Sequence, residues 1–132
     1  MLDWIAPYSQ TDTLESTLRG FLGRMLFSGD DVYKPVRVLS GGEKVRLMLA
    51  RMMLFGSNVL VIDQPTNHLD LESITAVNNG VRDFKGTVLF ASHDHEFVQT
   101  IATRIIEIRE KGVLDKECTY DEFLEFRETY KG

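Results

Sequence analysis

Apolar residues recur at helical spacing in the first quarter of the chain. Leu14, Leu18, Phe21, Leu22, Met25 and Leu26 fall on one face, and Asp12 with Glu15 three residues on makes a capping-box-like start. The spacing predicts a helix from 13 to about 27, closed by Ser28-Gly29-Asp30-Asp31. A short amphipathic piece, 2–8, precedes it, and an irregular stretch with Pro35 inside it, 32–39, follows. Ser40 and Glu43 then form a second capping box. Val45, Met48, Leu49, Met52 and Met53 make one apolar stripe, which predicts a helix over 43–55 with Gly56 as its C-cap.

Beyond Gly56 the period changes. Residues 58–62 are a short β-branched run, read as a buried parallel strand. A helix is expected from 71 to about 84 with Asp70 as N-cap. A second buried strand follows at 87–90, then helical residues 94–100, strands at 103–108 and 112–114, and a last helix to about 130 capped by Thr119 and Glu122. Helices first, then alternating strands and helices, point to the α/β class. The expected organisation is a small helical part, 1–57, ahead of an α/β core, 58–132.

Composition narrows the function classes. The chain has 132 residues, 43% hydrophobic and 27% charged, which is ordinary for a globular protein. A net charge of −5 gives no general attraction to nucleic acid or anionic lipid. One cysteine, Cys118, excludes an internal disulfide. No apolar run approaches the roughly 20 residues that span a bilayer, and no secretory h-region is visible, so a cytoplasmic protein is expected.

Candidate chemistry sits where strands end and helices begin. Asp63-Gln64 follows one strand and Ser92-His93-Asp94 the other, and in parallel sheets ligands bind beyond the carboxyl ends of strands. Ser40-Gly41-Gly42 opens a helix, where free backbone N–H groups and the helix dipole favour an anion. Singly, each has an ordinary reading: a turn, a buried strand with a capping aspartate, a hydrogen-bonded loop histidine. Their order and spacing together suggest triphosphate recognition.

The wording of these segments is specific. "LSGGEKVRLMLARMM", then "VLVIDQPTNHLDLES", then "VLFASHDHEF" resembles an ATP-binding-cassette (ABC) ATPase domain. "PTNHLD" and "SHDHEF" resemble its ABC-F branch, soluble tandem-cassette proteins acting on the ribosome. The resemblance implies a partial P-loop-type ABC ATPase core preceded by part of the α-helical signature subdomain. It implies that Ser40, Gly41, Gly42 and Glu43 belong to the signature that contacts the γ-phosphate of ATP held by the opposite cassette. Asp63 would help hold Mg²⁺ through water, Asp70 would lie in the D-loop coupling two cassettes, and His93 would be the switch histidine. The implied partners are a second cassette of the same parent chain and the ribosome, with no membrane subunit.

Two departures from the family pattern matter. Gln64 stands where the family has its catalytic glutamate. An amide can seat a water but has no basicity, so closure with slow hydrolysis is expected. The second departure is the phosphate loop: none of the ten glycines is followed by lysine, so no G-x-x-x-x-G-K-[ST] occurs in these residues. Tyr8-Ser9-Gln10 invites comparison with the family's Q-loop, but such a glutamine follows a strand and 2–8 reads as helical. The chain therefore resembles the back part of one cassette. ATP and Mg²⁺ are expected to serve the intact protein, and neither is expected to bind the isolated chain tightly. The chain alone is expected to self-associate or to be marginally stable, because its strand edges lack neighbours.

Three rival readings stay open. His93-x-His95 after a strand resembles a metallohydrolase start, but Phe97 and Val98 stand where further ligands belong. A transporter cassette shares the signature and strand motifs, and the "TNHLD" wording weighs against it. A non-catalytic interaction module fits Gln64 and the missing phosphate loop. Met48, Met52 and Met53 are read as core, Trp4 as packing on the helical part, and Cys118 as inert.

Overall fold

The computed structural model describes residues 1–9 and 14–130. The expected Asp12 cap, the helix start at 13 and Gln10 lie outside the described residues. The chain divides into two compact units, Met1–Ala91 and Ser92–Gly132.

The first unit packs helices on one side of a small sheet. Helix α1 (Leu2–Ile5) leads through a 3-10 turn (Ala6–Tyr8) toward α2 (Glu15–Arg24). Trp4 packs on the helical part as expected, its ring 5.5 Å from that of Tyr8, with the Arg51 guanidinium lying over both. Helix α2 stops earlier than its apolar spacing predicts, because Leu26 takes a left-handed backbone, φ 63°. The stretch 29–38 holds two 3-10 turns, Gly29–Tyr33 and Val36–Val38.

Helix α3 (Gly41–Leu54) starts at the Ser40–Glu43 capping box and ends before Gly56, which has φ 71°. Strand β1 (Val59–Asp63) follows, then α4 (Leu71–Asp83), then β2 (Thr87–Ala91). β1 and β2 pair in parallel, Val59 opposite Thr87 through Asp63 opposite Ala91. The crossover helix α4 packs on α3, giving the α/β arrangement.

Two expectations change in this unit. The face of α3 turned to the core carries Arg46, Leu47, Ala50 and Leu54, with Leu49 also buried. Val45 and Met48, expected in the core, are 37% and 42% exposed. The stripe read from the sequence is therefore split: Leu49 is buried, Met52 and Met53 are half-buried, and Val45 and Met48 lie outward. The strands are likewise buried on one side only. Leu60 is 3% exposed, whereas Val61 and Leu89, neighbours on the opposite face, are 72% and 58% exposed.

The second unit comprises α5 (His95–Ile101), an antiparallel hairpin of β3 (Ile105–Arg109) and β4 (Gly112–Lys116), and α6 (Tyr120–Thr129). Asp94 caps α5, and the Thr119–Glu122 capping box opens α6 as expected. Phe97 and Phe123 are its buried aromatics. His95 Nε2 lies 3.0 Å from Asp121 Oδ1, and the Asp121 N–H donates to Gln99 Oε1 at 2.9 Å, tying α5 to α6. Among the described residues no helix is long and apolar enough to cross a membrane.

Candidate functional site

The carboxyl end of β1 is set by the sheet. Asp63 is the last strand residue, exposed, and in register with Ala91. The pairing continues one step further, since the Gln64 N–H donates to the Ala91 carbonyl at 2.8 Å. Gln64 then turns the chain with φ 48°, a left-handed conformation unusual for a residue with a side chain. Pro65 and Thr66 are buried beneath the turn, and His68 takes a second left-handed position, φ 59°, with its ring exposed. Leu69 N–H donates to Thr66 O and closes the turn ahead of α4.

Asp70 follows. Its Oδ1 accepts the Ser73 N–H at 2.7 Å and caps α4. That N–H first, with the charge of Arg46 adding to it, holds the Asp70 carboxyl below its ordinary range.

The opening of α3 is pinned by its capping box. The Ser40 N–H donates to Glu43 Oε2 at 2.7 Å, and Ser40 Oγ accepts the Glu43 N–H at 3.2 Å. The Glu43 carboxylate thus occupies part of the positive end of the helix dipole. The Gly41 and Gly42 N–H groups remain at the first turn, where an anion can approach. Gly42 is buried against α4, and a Cβ there would stand 2.5 Å from Ser73 Oγ and 3.3 Å from Asp70 Oδ2. The opening turn of α3 and the turn into α4 are therefore in contact.

A cleft of about 300 Å³ runs along this region, and its lining includes Val45, Met48, Met52, Ile62, Asp63 and Gln64. Its walls are largely apolar, and Lys44, Asp63 and Gln64 are among the residues that line it. Within the first unit the structure brings Gly42 to Asp70, and Asp63 and Gln64 to one cleft. His93 lies in the second unit, exposed, two residues past Ala91.

Two residues of this region were not singled out from the sequence, Ser73 and Arg46. Ser73 carries a readable signal, since it stands at the third position after a capping aspartate, where the capped N–H belongs. Arg46 is a charged residue 7% exposed; its Nη1 donates to the Met25 carbonyl at 3.0 Å and its guanidinium lies 5.0 Å from the Phe27 ring centre. A charge amid an apolar helix face is the only sequence trace of that role.

Among the described residues no three of His, Cys, Asp and Glu cluster as a metal cage. An exposed single carboxylate at a strand end does fit Mg²⁺, which keeps several waters and takes one or two carboxylates beside substrate phosphates.

Comparison with known proteins bears on this arrangement. A family model described as ABC transporter matches residues 9–67. YkpA of Bacillus subtilis, an uncharacterized ABC transporter ATP-binding protein, is 63% identical over 131 residues, 99% of this chain and 24% of its own length. ABC transporter F family member 2 of Arabidopsis thaliana is 42% identical over 108 residues, 82% of this chain and 16% of its own. The energy-dependent translational throttle protein EttA of Escherichia coli K12 is 38% identical over 119 residues, 89% of this chain and 21% of its own. The chain spans about a quarter or less of the length of these relatives. Among solved structures, the archaeal ribosome recycling factor aABCE1, in complex with stalk protein aP1, superposes with a TM-score of 0.68 at 20% identity. That match covers 95% of this chain and 27% of that one. RNase-L inhibitor gives 0.64 at 23% identity, covering 97% and 26%. At such identities the likeness shows the fold, that of an ABC ATPase cassette.

Proposed function

The chain belongs to the ATP-binding-cassette family, in its ABC-F branch, and from that premise we propose that it supplies the signature-to-switch part of one cassette in an ATP-driven translation factor. The observation that carries this reading is that the β1-terminal carboxylate Asp63 and the αL residue Gln64 line one cleft, while the glycine turn of α3 packs on the opening turn of α4. Residues 1–57 then belong to the helical signature part and 58–132 to the core.

The roles follow from chemistry. Gly41 and Gly42 offer N–H groups to the terminal phosphate of a nucleotide held by a second cassette. Asp63 would help hold Mg²⁺, which would supply neutralisation of charge on the phosphates. Gln64 orients a water by hydrogen bonding but takes no proton from it, so turnover is slow and the closed state long-lived. Asp70 sits in the coupling turn, and His93 takes the part of the switch histidine. These 132 residues contain no G-x-x-x-x-G-K-[ST] pattern, and tight ATP binding is not expected of the isolated chain.

The bare face bearing Val61 and Leu89 supports the reading that these residues are one part of a larger layered core. Parallel sheets are covered on both faces. In isolation the same face favours self-association. EttA is a translational throttle by its name. By the same logic the full-length protein works in the cytoplasm on ribosomes.

Calorimetric titration of the isolated chain with Mg-ATP is the first test, and no saturable binding is expected. Saturable binding abolished by Asp63→Ala would mean that a nucleotide site forms without a phosphate loop, and the reading would be rebuilt. Co-sedimentation of the full-length protein with ribosomes, with and without ATP, tests the partner. ATP-independent or absent sedimentation counts against a ribosomal role. Full-length Gln64→Glu should hydrolyse ATP faster, and an unchanged rate would remove Gln64 from the mechanism.

A further inference from the structure

Gly42 is not a glycine for reasons of backbone conformation. It lies inside α3, and its φ is not among the positive values, which belong to Gly29, Gly56 and Gly112. What requires glycine there is space. A Cβ would fall 2.5 Å from Ser73 Oγ, closer than real carbon contacts come, with Ser73 Cβ and Asp70 Oδ2 both at 3.3 Å. Ser73 is fully buried, with 0% exposure, and its N–H is committed to Asp70 Oδ1 at 2.7 Å. One turn along α3, Arg46 places a buried positive charge that acts on the Asp70 carboxylate. The first turns of α3 and α4 thus meet through a small hydroxyl on one side and a missing side chain on the other.

We propose that Ser73 is a positioning residue, which sets the spacing between the glycine turn of α3 and the D-loop turn so that both face a partner cassette as one body. The proposal rests on the cassette reading given above. On this proposal the first turn of α3 and the Asp70 cap shift together. Nucleotide contact at one turn and cassette coupling at the other are joined within a single chain.

A rival explanation for Gly42 is that the phosphate itself needs the bare backbone. The two explanations differ in what happens when space is restored from the other side. The experiment is a cycle of Gly42→Ala, Ser73→Ala and the double variant in the full-length protein. Mg-ATP affinity is measured by calorimetry well below each variant's melting temperature. Gly42→Ala is expected to weaken binding about tenfold, and the added Ser73→Ala to bring it back to within about threefold of the unsubstituted protein. A double variant as weak as Gly42→Ala alone overturns the proposal. So does a Gly42→Ala protein whose melting temperature falls while its affinity holds, since that is a packing role only. If Gly42→Ala does not fold, Ser73→Thr, which keeps the hydroxyl and crowds the same contact, is expected to weaken ATP binding, and unchanged affinity overturns the proposal. Absence of ATP binding in the unsubstituted full-length protein sinks the cassette reading itself, and the proposal with it.

Discussion

Arg46 offers a perturbation whose size can be worked from the structure. Its Nη1 donates to the carbonyl of Met25, the C-cap of α2, at 3.0 Å, and its guanidinium lies 5.0 Å from the Phe27 ring centre. A cation at a helix C-terminus is favourable for the dipole as well as for the orphan carbonyl. Arg46→Ala removes a charged hydrogen bond worth about 2 kcal/mol and a desolvated cation–π contact of about 1 kcal/mol. It also leaves the Met25 carbonyl unpaired and empties the space of a side chain 7% exposed. With about 1 kcal/mol for the lost packing of the buried stem, the total is about 4 kcal/mol. Arg46→Met keeps the stem volume and removes the buried Nε, which has no hydrogen-bond partner among the described residues. Its loss should be about half as large, roughly 2 kcal/mol. For a chain of this length, near 2.1 cal/mol/K per residue, each kcal/mol moves the melting temperature by about 3.6 °C. Differential scanning calorimetry should then show a fall of about 14 °C for Arg46→Ala and about 7 °C for Arg46→Met. If Arg46→Ala melts within about 3 °C of the unsubstituted chain, Arg46 does not anchor α3 to the end of α2, and the reasoning fails.

Three further outcomes are expected. Leu26→Gly should raise the denaturant midpoint at unchanged slope, because a left-handed leucine costs about 1–2 kcal/mol and glycine returns about 0.5–1 of that as chain entropy; a lower midpoint would contradict the strain. Gly86→Ala drives a Cβ into the Asn58 carbonyl, which accepts the Thr87 N–H at 2.9 Å. It should cost about 1–3 kcal/mol and speed exchange of the Thr87 amide, and unchanged exchange would refute it. Asp70, Asp115 and Glu122 all have depressed carboxyls, held first by the Ser73 N–H, the Arg104 side chain and the Thr119 N–H respectively. Folded values below the ordinary 3.8 and 4.5 mean that their contribution is complete above those pH values. It is lost as pH falls through the folded pKa values, because the unfolded chain takes up protons first. Melting temperature against pH should be steep below that range and less steep in Asp70→Asn, and a flat acid limb would exclude this linkage.

What the sequence discloses here is what local chemistry decides. The Ser40–Glu43 and Thr119–Glu122 boxes form as read, since each is closed within four residues. The Asp70 cap and the two parallel strands are equally local in their signals. The buried face of α3 was not readable, because its apolar stripe is split and only its neighbours select the part that is covered. The end of α2 was missed for a similar reason: nothing in Leu26 itself asks for a left-handed backbone, and the contact of Arg46 with the Met25 carbonyl lies 21 residues away in sequence. At the candidate site the Ser40 and Asp70 caps and the strand ending by Asp63 were legible one by one. The packing of Gly42 against Ser73 was not, since it joins two turns that the sequence keeps apart.

The Gln64 N–H is bonded to the Ala91 carbonyl, one rung past the Asp63–Ala91 pair. In hydrogen-exchange terms it is a loop amide that should behave as a sheet amide, opening only when β1 and β2 part at their carboxyl ends. Loosening this corner and unzipping the sheet are then one event. Gln64 is held by its main chain to the strand from which the chain departs toward His93. A pull on that departing segment reaches Gln64 through a backbone hydrogen bond.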